Sequence, residues 1–386
     1  MLIRNVNVSG LLSFGPRGID LPLNNLNVLI GPNGSGKSNL LEVFSLLRSA
    51  PTNLPAPVKE MGGVREWLWK GRQPAREARV DITFEVPRSE ALRHVLAVTD
   101  HGGRFEVVDE KIEFAQPQPG NSEPYFFYRF QRGNPMLNEF QGKERRLKRE
   151  NVRPEESILS QVRDPDRYPT LAWLQDQYER IRLYRNWSFG PNAALRREQS
   201  THDRSDVLND GGENLALVLS KIRTRVKAEL RESLQKLYEG VDDLSLSIDG
   251  GNVLLFLEES GGREIPATRL SDGTLRYLSL LAILLHPDPP PLVAIEEPEL
   301  GLHPDVIPHI AQLLVRASER MQLVVTTHSR VLVEALGDDP PRILVCEKEE
   351  AETRIRRLDA DRLAAWLKDY SLGELWSMGE IGGNRW

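Results

Sequence analysis

The strongest constraint in this 386-residue chain is the run Gly31-Pro32-Asn33-Gly34-Ser35-Gly36-Lys37-Ser38. It completes a G-x-x-x-x-G-K-[ST] pattern between an apolar stretch, residues 26–30 (LNVLI), and helix-spaced Leu40, Leu41, Phe44 and Leu47. Glycines let a backbone wrap a polyphosphate so that its N–H groups point inward, and a following helix start adds favourable partial charge. A chance match is expected only about 0.01 times in a chain of ordinary composition. The pattern predicts nucleotide contacts from Asn33, Gly34, Ser35, Gly36, Lys37, Ser38 and Asn39, with Lys37 at the β- and γ-phosphates and Ser38 at Mg²⁺.

The C-terminal third reads as alternating strands and helices. A helix is predicted over about 273–285, a buried strand at 292–296 (LVAIE), a helix at 305–319, the strand 323–327 (LVVTT), a short helix from Ser329 and the strand 343–347 (ILVCE). That alternation implies a mainly parallel sheet covered on both faces. The first strand ends in Glu296-Glu297. Side chains alternate across a strand, so the two carboxylates face different ways: Glu296 toward Mg²⁺ through water, Glu297 toward an attacking water as general base or positioner. The strand 323–327 delivers His328 to the same edge, where it is expected to touch a γ-phosphate. Glu297, Lys37 and His328 are therefore the expected catalytic set, and Ser38 and Glu296 the metal set.

Between these two parts lie alternating segments at 79–86, 104–114 and 125–130, expected to form an antiparallel meander. A mostly helical stretch follows to about Glu239, then a hairpin turning at Gly250-Gly251. The expected organisation is an ATPase lobe in two pieces, 1–85 and 266–386, enclosing an inserted β-meander and helical region at 86–265. Composition sets few further limits. Apolar residues make up 40% and charged residues 27%, as in ordinary globular domains. A formal net charge of −6 gives no global attraction to nucleic acid. Cys346 is the sole cysteine, which fits a reducing compartment. No signal-peptide core or membrane-length apolar run is visible, so a cytoplasmic protein without a membrane partner is expected.

The order of these motifs resembles that of ABC ATPases: the glycine-rich loop, Leu270-Ser271-Asp272-Gly273-Thr274 opening a helix, an acidic strand about 20 residues on, and a strand ending in histidine. VNVSGLLSF…LNVLIGPNGSGKSN, EEPELGLHP and TTHS look like the RecF, SMC and overcoming-lysogenization-defect branch. DGGENL and SLGELWSMGEIGGNRW are similar to compact stand-alone bacterial predicted ATPases of that branch. The resemblance implies ATP and Mg²⁺ as cofactors and an ATP-dependent head-to-tail homodimer. In that dimer Ser271, Asp272 and Gly273 reach the nucleotide of the opposite subunit. Glu296 departs from the family's more usual Asp, and no coiled-coil arms are visible. Gln73 is a candidate for the family's glutamine loop, against the plainer reading of an exposed loop residue.

What such an ATPase acts on is less legible. Lys143, Arg145, Arg146, Lys148 and Arg149 form a charged stretch diluted by Glu144 and Glu150. Arg223, Lys227 and Arg231 recur every four residues, a stripe that suits either a DNA backbone or solvent. Tyr184 and Trp187 among arginines suit base stacking less well than core packing. Only 58 residues follow His328, too few to add a separate acidic metal-binding domain, so no nuclease is expected. Two outputs stay open. One is an ATPase of DNA repair, maintenance or mobile-element defence that contacts DNA. The other is a switch for a separately encoded effector such as a toxin or nuclease.

Overall fold

The computed structural model describes residues 2–131, 133–138, 144–147, 152–185 and 187–383. Its centre is a six-stranded sheet in the order Arg182–Tyr184, Leu292–Glu296, Gln322–Thr326, Leu26–Ile30, Ile343–Glu349, Glu352–Arg357. The first five strands run parallel, and the last closes an antiparallel hairpin with its neighbour. Alternation along these strands feeds two separate cores. Val28, Ile30, Val293, Ile295, Leu323 and Val325 pack with Leu275, Leu278, Ile310 and Leu314 on one face. Leu29, Leu292, Ala294, Val324, Leu344 and Cys346 pack with Leu40, Leu41, Phe44 and Leu47 on the other. A sheet buried on both faces needs strands that are apolar throughout, as Leu26–Ile30 and Gln322–Thr326 are by burial.

The second sheet is antiparallel with eight strands: Ile19–Pro22, Ile3–Ser9, Glu77–Phe84, Leu92–His101, Arg104–Phe114, Phe126–Gln131, Asn134–Asn138 and Glu144–Arg146. It contains the expected meander and extends it on both sides. A boundary between residues 85 and 86 falls inside it, because Glu77–Phe84 pairs with Leu92–His101 along its whole length. A third, smaller sheet joins Gln199–Ser200, Val241–Asp249, Asn252–Glu259 and Arg263–Pro266, with the hairpin turning at Gly250-Gly251 as expected.

Two other expectations change. Arg182–Tyr184, assigned to the insertion, is an edge strand of the parallel sheet and pairs with Leu292–Glu296. Leu215, Val218, Leu219, Ile222, Val226, Leu230, Leu234 and Leu237 recur at the spacing of one long helix, but the chain forms two, Leu215–Arg225 and Lys227–Leu234, separated at Val226 (φ −131°, ψ 46°). Both keep their apolar side chains on one core, so the spacing continues across the break in the backbone. No helix among the described residues is long and apolar enough to cross a membrane.

Candidate nucleotide site

The glycine-rich loop leaves the carboxyl end of Leu26–Ile30 and opens the helix Lys37–Ser49. Gly31 has φ 149°, and a Cβ there would stand 2.2 Å from the Cys346 carbonyl oxygen. Gly36 caps the helix at φ 101°, where a Cβ would lie 2.1 Å from Thr353 Oγ1. Both positions require glycine, one for reach over the next strand and one for the left-handed turn. No side chain caps the helix, and its first turn carries no acid, so its leading N–H groups are left for an external anion. Ser35 Oγ is buried without a partner, and nothing lies within 4 Å of where a Gly34 Cβ would be. A cradle with unmet donors and open space at its tip fits a polyphosphate.

The hairpin strand Glu352–Arg357 straps this loop down. Thr353 Oγ1 lies 2.6 Å from Ser13 Oγ and 2.8 Å from the Ser35 carbonyl, and Asn39 Nδ2 donates to Ser13 Oγ at 2.6 Å. Ser13, Asn39, Trp69, Lys70 and Lys348 line a cavity of about 350 Å³ beside the helix start. Within the loop, Lys37 Nζ donates to the carbonyls of Gly31 (2.7 Å) and Pro32 (3.1 Å). Burial lowers the pKa of this amine, opposed by the Glu297 and Glu296 carboxylates. The Cys346 thiol is pushed up to about 12 by its own burial and stays protonated.

At the end of Leu292–Glu296 the two expected carboxylates diverge. Glu296 Oε1 accepts from Ser38 Oγ, so the strand end meets the start of the loop's helix. Hydroxyl and carboxylate oxygens are hard donors suited to Mg²⁺. Among the described residues no cluster of three His, Cys, Asp or Glu could hold a metal. A metal at Ser38 and Glu296 would therefore take its remaining ligands from phosphate and water, which is how Mg²⁺ commonly binds.

Glu297 adopts φ 46°, a left-handed conformation that costs a non-glycine residue of order 1–3 kcal/mol. Its amide donates to the Thr326 carbonyl at 3.0 Å, and its own carbonyl accepts from Arg276 Nη1 at 2.9 Å. The Arg276 guanidinium lies over Trp187 and Phe189, 5.5 and 5.2 Å from their ring centroids. These contacts hold the turn that aims Glu297 away from Glu296. His328 Nε2 stands 3.6 Å from Glu297 Oε1. Glu299 fixes the histidine's backbone, its Oε1 accepting from His328 N at 2.9 Å and from Thr327 Oγ1 at 2.6 Å. Desolvation and the nearby Lys37 lower the His328 pKa, outweighing Glu297 and Glu299, so the imidazole is neutral at pH 7.

Ser271 caps the helix Asp272–Leu284, its hydroxyl accepting from Thr274 N at 3.0 Å. Asp272 pairs with Arg196, a buried side chain that also donates to the Phe189 (2.7 Å) and Leu270 (2.5 Å) carbonyls. Gly273 is needed for close approach: a Cβ would meet the Gly301 carbonyl at 2.6 Å.

Gln73 is exposed on the connection into the antiparallel sheet. The side chain that reaches Glu296 from a neighbouring strand is Arg185, not Gln73. Tyr184 is buried, its hydroxyl donating to the Leu208 carbonyl at 2.8 Å, and Trp187 stacks between Tyr184 and Phe189, so both are packing residues. In the basic stripe, Arg223 donates to both Asp243 oxygens (3.1 and 3.0 Å) and Arg231 stands 3.8 Å from Asp242. Lys143, Lys148 and Arg149, and the side chains of Arg145 and Arg146, lie outside the described residues. Arg185, Arg196, Arg276 and Thr353 are site residues with no motif of their own, whereas Glu299 lies within EEPELGLHP without having been singled out.

This sheet order and loop define a P-loop fold of the kind seen in Smc head domains. The family model described as "AAA domain, putative AbiEii toxin, Type IV TA system" matches residues 26–334, and the chain belongs to that family. No curated protein matches the sequence. Among solved structures, the chain is similar to an Smc head bound to the C-winged helix domain of ScpA (TM-score 0.58, 15% identity, covering 93% of this chain and 99% of that one). It is also similar to an Smc head with an extended coiled coil bound to the C-terminal domain of ScpA from Pyrococcus furiosus (0.58, 14%, 96% and 99%). A third is an Smc head with coiled coil and joint from Pyrococcus yayanosii (0.52, 13%, 95% and 99%). At these identities the likeness is one of fold.

Proposed function

We propose that this protein binds ATP with Mg²⁺ and hydrolyses it in a head-to-tail homodimer. The observation that carries the reading is the convergence of Lys37, Ser38, Glu296, Glu297 and His328 at one edge of one sheet. Loop N–H groups and Lys37 bind the triphosphate, with Lys37 exchanging the Gly31 and Pro32 carbonyls for phosphate oxygens. Mg²⁺, held by Ser38 and Glu296, would neutralise charge on the β- and γ-oxygens. Glu297 accepts a proton from the attacking water, and neutral His328 orients against the γ-phosphate.

The dimer follows from the signature turn. Ser271 and Gly273 sit at the N-terminus of a thirteen-residue helix, with the Ser271 hydroxyl accepting from that helix's own Thr274 amide. Closing a second copy over the loop would bring that helix start to the γ-phosphate. Ser271→Arg puts a long cation where a phosphate and another subunit must fit. Its expected outcome is ATP affinity within about threefold of native, with loss of the ATP-dependent dimer in light scattering. An ATP-bound dimer of that variant would remove the trans contact.

For the output, the pairing of Arg223 and Arg231 with Asp243 and Asp242 favours a switch acting on a separately encoded partner over a DNA clamp using these two helices. DNA repair or mobile-element defence through direct DNA contact then needs another surface. The expected ATPase rate is unchanged by duplex DNA at 50 mM salt. Stimulation that fades steeply toward 200 mM would restore the DNA reading, since phosphate contacts are lost with salt.

A further inference from the structure

Arg185 leaves the end of the edge strand Arg182–Tyr184 and bridges two carboxylates. Its Nη1 donates to Glu42 Oε1 at 2.6 Å and its Nε to Glu296 Oε2 at 3.3 Å. Glu42 lies one helical turn beyond Ser38, so both face the same corner of the site, and its carboxylate is only 5% exposed. Arg185 itself is 22% exposed, so these contacts are less screened by solvent than surface pairs. Nothing in the nucleotide chemistry above uses this guanidinium, yet it occupies the outer oxygen of the carboxylate expected to face the metal.

We propose that Arg185 is a resident counter-cation that keeps the Ser38–Glu296 corner from taking a divalent ion until a nucleotide arrives, so that metal and nucleotide load together. The inference rests on the ATP-binding reading of the same site. With Arg185 in place, the Glu296 carboxylate is already paired with a guanidinium, and the protein supplies only two hard oxygens for a six-coordinate ion. A carboxylate whose charge is compensated 3.3 Å away attracts a second cation weakly, and so few ligands do not strip water from it. Phosphate oxygens complete both the ligand set and the charge. Glu42 anchors the guanidinium; its role is positioning.

The test uses the nucleotide-free full chain and Mn²⁺ as a paramagnetic probe, with free Mn²⁺ followed by electron paramagnetic resonance. Arg185→Gln alone strands buried Glu42, so the informative variant is Glu42→Gln/Arg185→Gln, which removes both charges together. The native chain is expected to show no saturable Mn²⁺ binding below about millimolar concentration. The double variant is expected to bind one Mn²⁺ at least about tenfold more tightly, because a cation beside the metal carboxylate is gone. Adding Glu296→Gln is expected to abolish that gain, whereas Glu42→Gln alone, which keeps Arg185, leaves Mn²⁺ binding weak. Equal Mn²⁺ affinity in native and double variant, or tight Mn²⁺ binding by the native chain, overturns the proposal. ATP binding by the native chain is measured alongside. Its absence sinks the nucleotide reading, whereas intact ATP binding with an unmoved Mn²⁺ curve sinks only the role of Arg185.

Discussion

Glu297→Gln is expected to bind ATP as tightly as the native chain, to hydrolyse it about 10²- to 10³-fold more slowly, and to accumulate as a dimer. The carboxamide keeps the shape of the side chain, so the contacts that set the strained turn survive. The amide bond to Thr326, the Arg276 contact and φ 46° all belong to the backbone. What is lost is the proton acceptor beside neutral His328. Because the γ-phosphate then persists, the subunits it joins stay closed. Single-turnover hydrolysis and light scattering with ATP measure both halves. Unchanged turnover would take the general-base role from Glu297. Slow turnover without a dimer would leave the role and remove the coupling.

Lys37→Ala has the other large effect, on binding itself. Native Lys37 already donates hydrogen bonds to two loop carbonyls and is partly desolvated, so it is held in place before the ligand arrives. Charge-assisted bonds of this kind contribute about 1.5–3 kcal/mol each. Losing two of them corresponds to about 10²- to 10⁴-fold in ATP affinity. Calorimetric titration with ATP and Mg²⁺ reads this directly, and native-like affinity in the variant would remove the loop from nucleotide binding. The glycines at 31 and 36 keep the loop's shape in the variant, so the effect reports on the amine and not on a collapsed cradle.

The consecutive features of the site could be read from the chain because each is a local pattern with a local cause. A buried strand, a glycine turn and an uncapped helix are contiguous in 26–49, and the acidic and histidine strands announce themselves by unbroken apolar runs. The residues that hold those features were invisible for the opposite reason. Arg185 meets Glu42 and Glu296 across 143 and 111 positions, and Thr353 meets Ser35 across 318. Pairings at such separations leave no periodicity. Arg182–Tyr184 is three residues long, too short to alternate visibly, so the sequence alone places it within the insertion. The break at Val226 was hidden because apolar spacing reports which side chains face the core, not whether the backbone between them is continuous. The basic stripe was legible as charge. The pairing of Arg223 and Arg231, two of its three members, with Asp243 and Asp242 on a strand of the small sheet was not.

The central claim is that the loop at 31–38 grips a triphosphate while a second copy closes over it. It is tested most directly by a crystal structure with Mg²⁺ and a non-hydrolysable ATP analogue. The account predicts phosphate oxygens on the amides of residues 34–38, metal at Ser38 and Glu296, and the other subunit's helix start at Ser271 against the γ-phosphate. An analogue bound elsewhere, with Lys37 still on the Gly31 and Pro32 carbonyls, would contradict it.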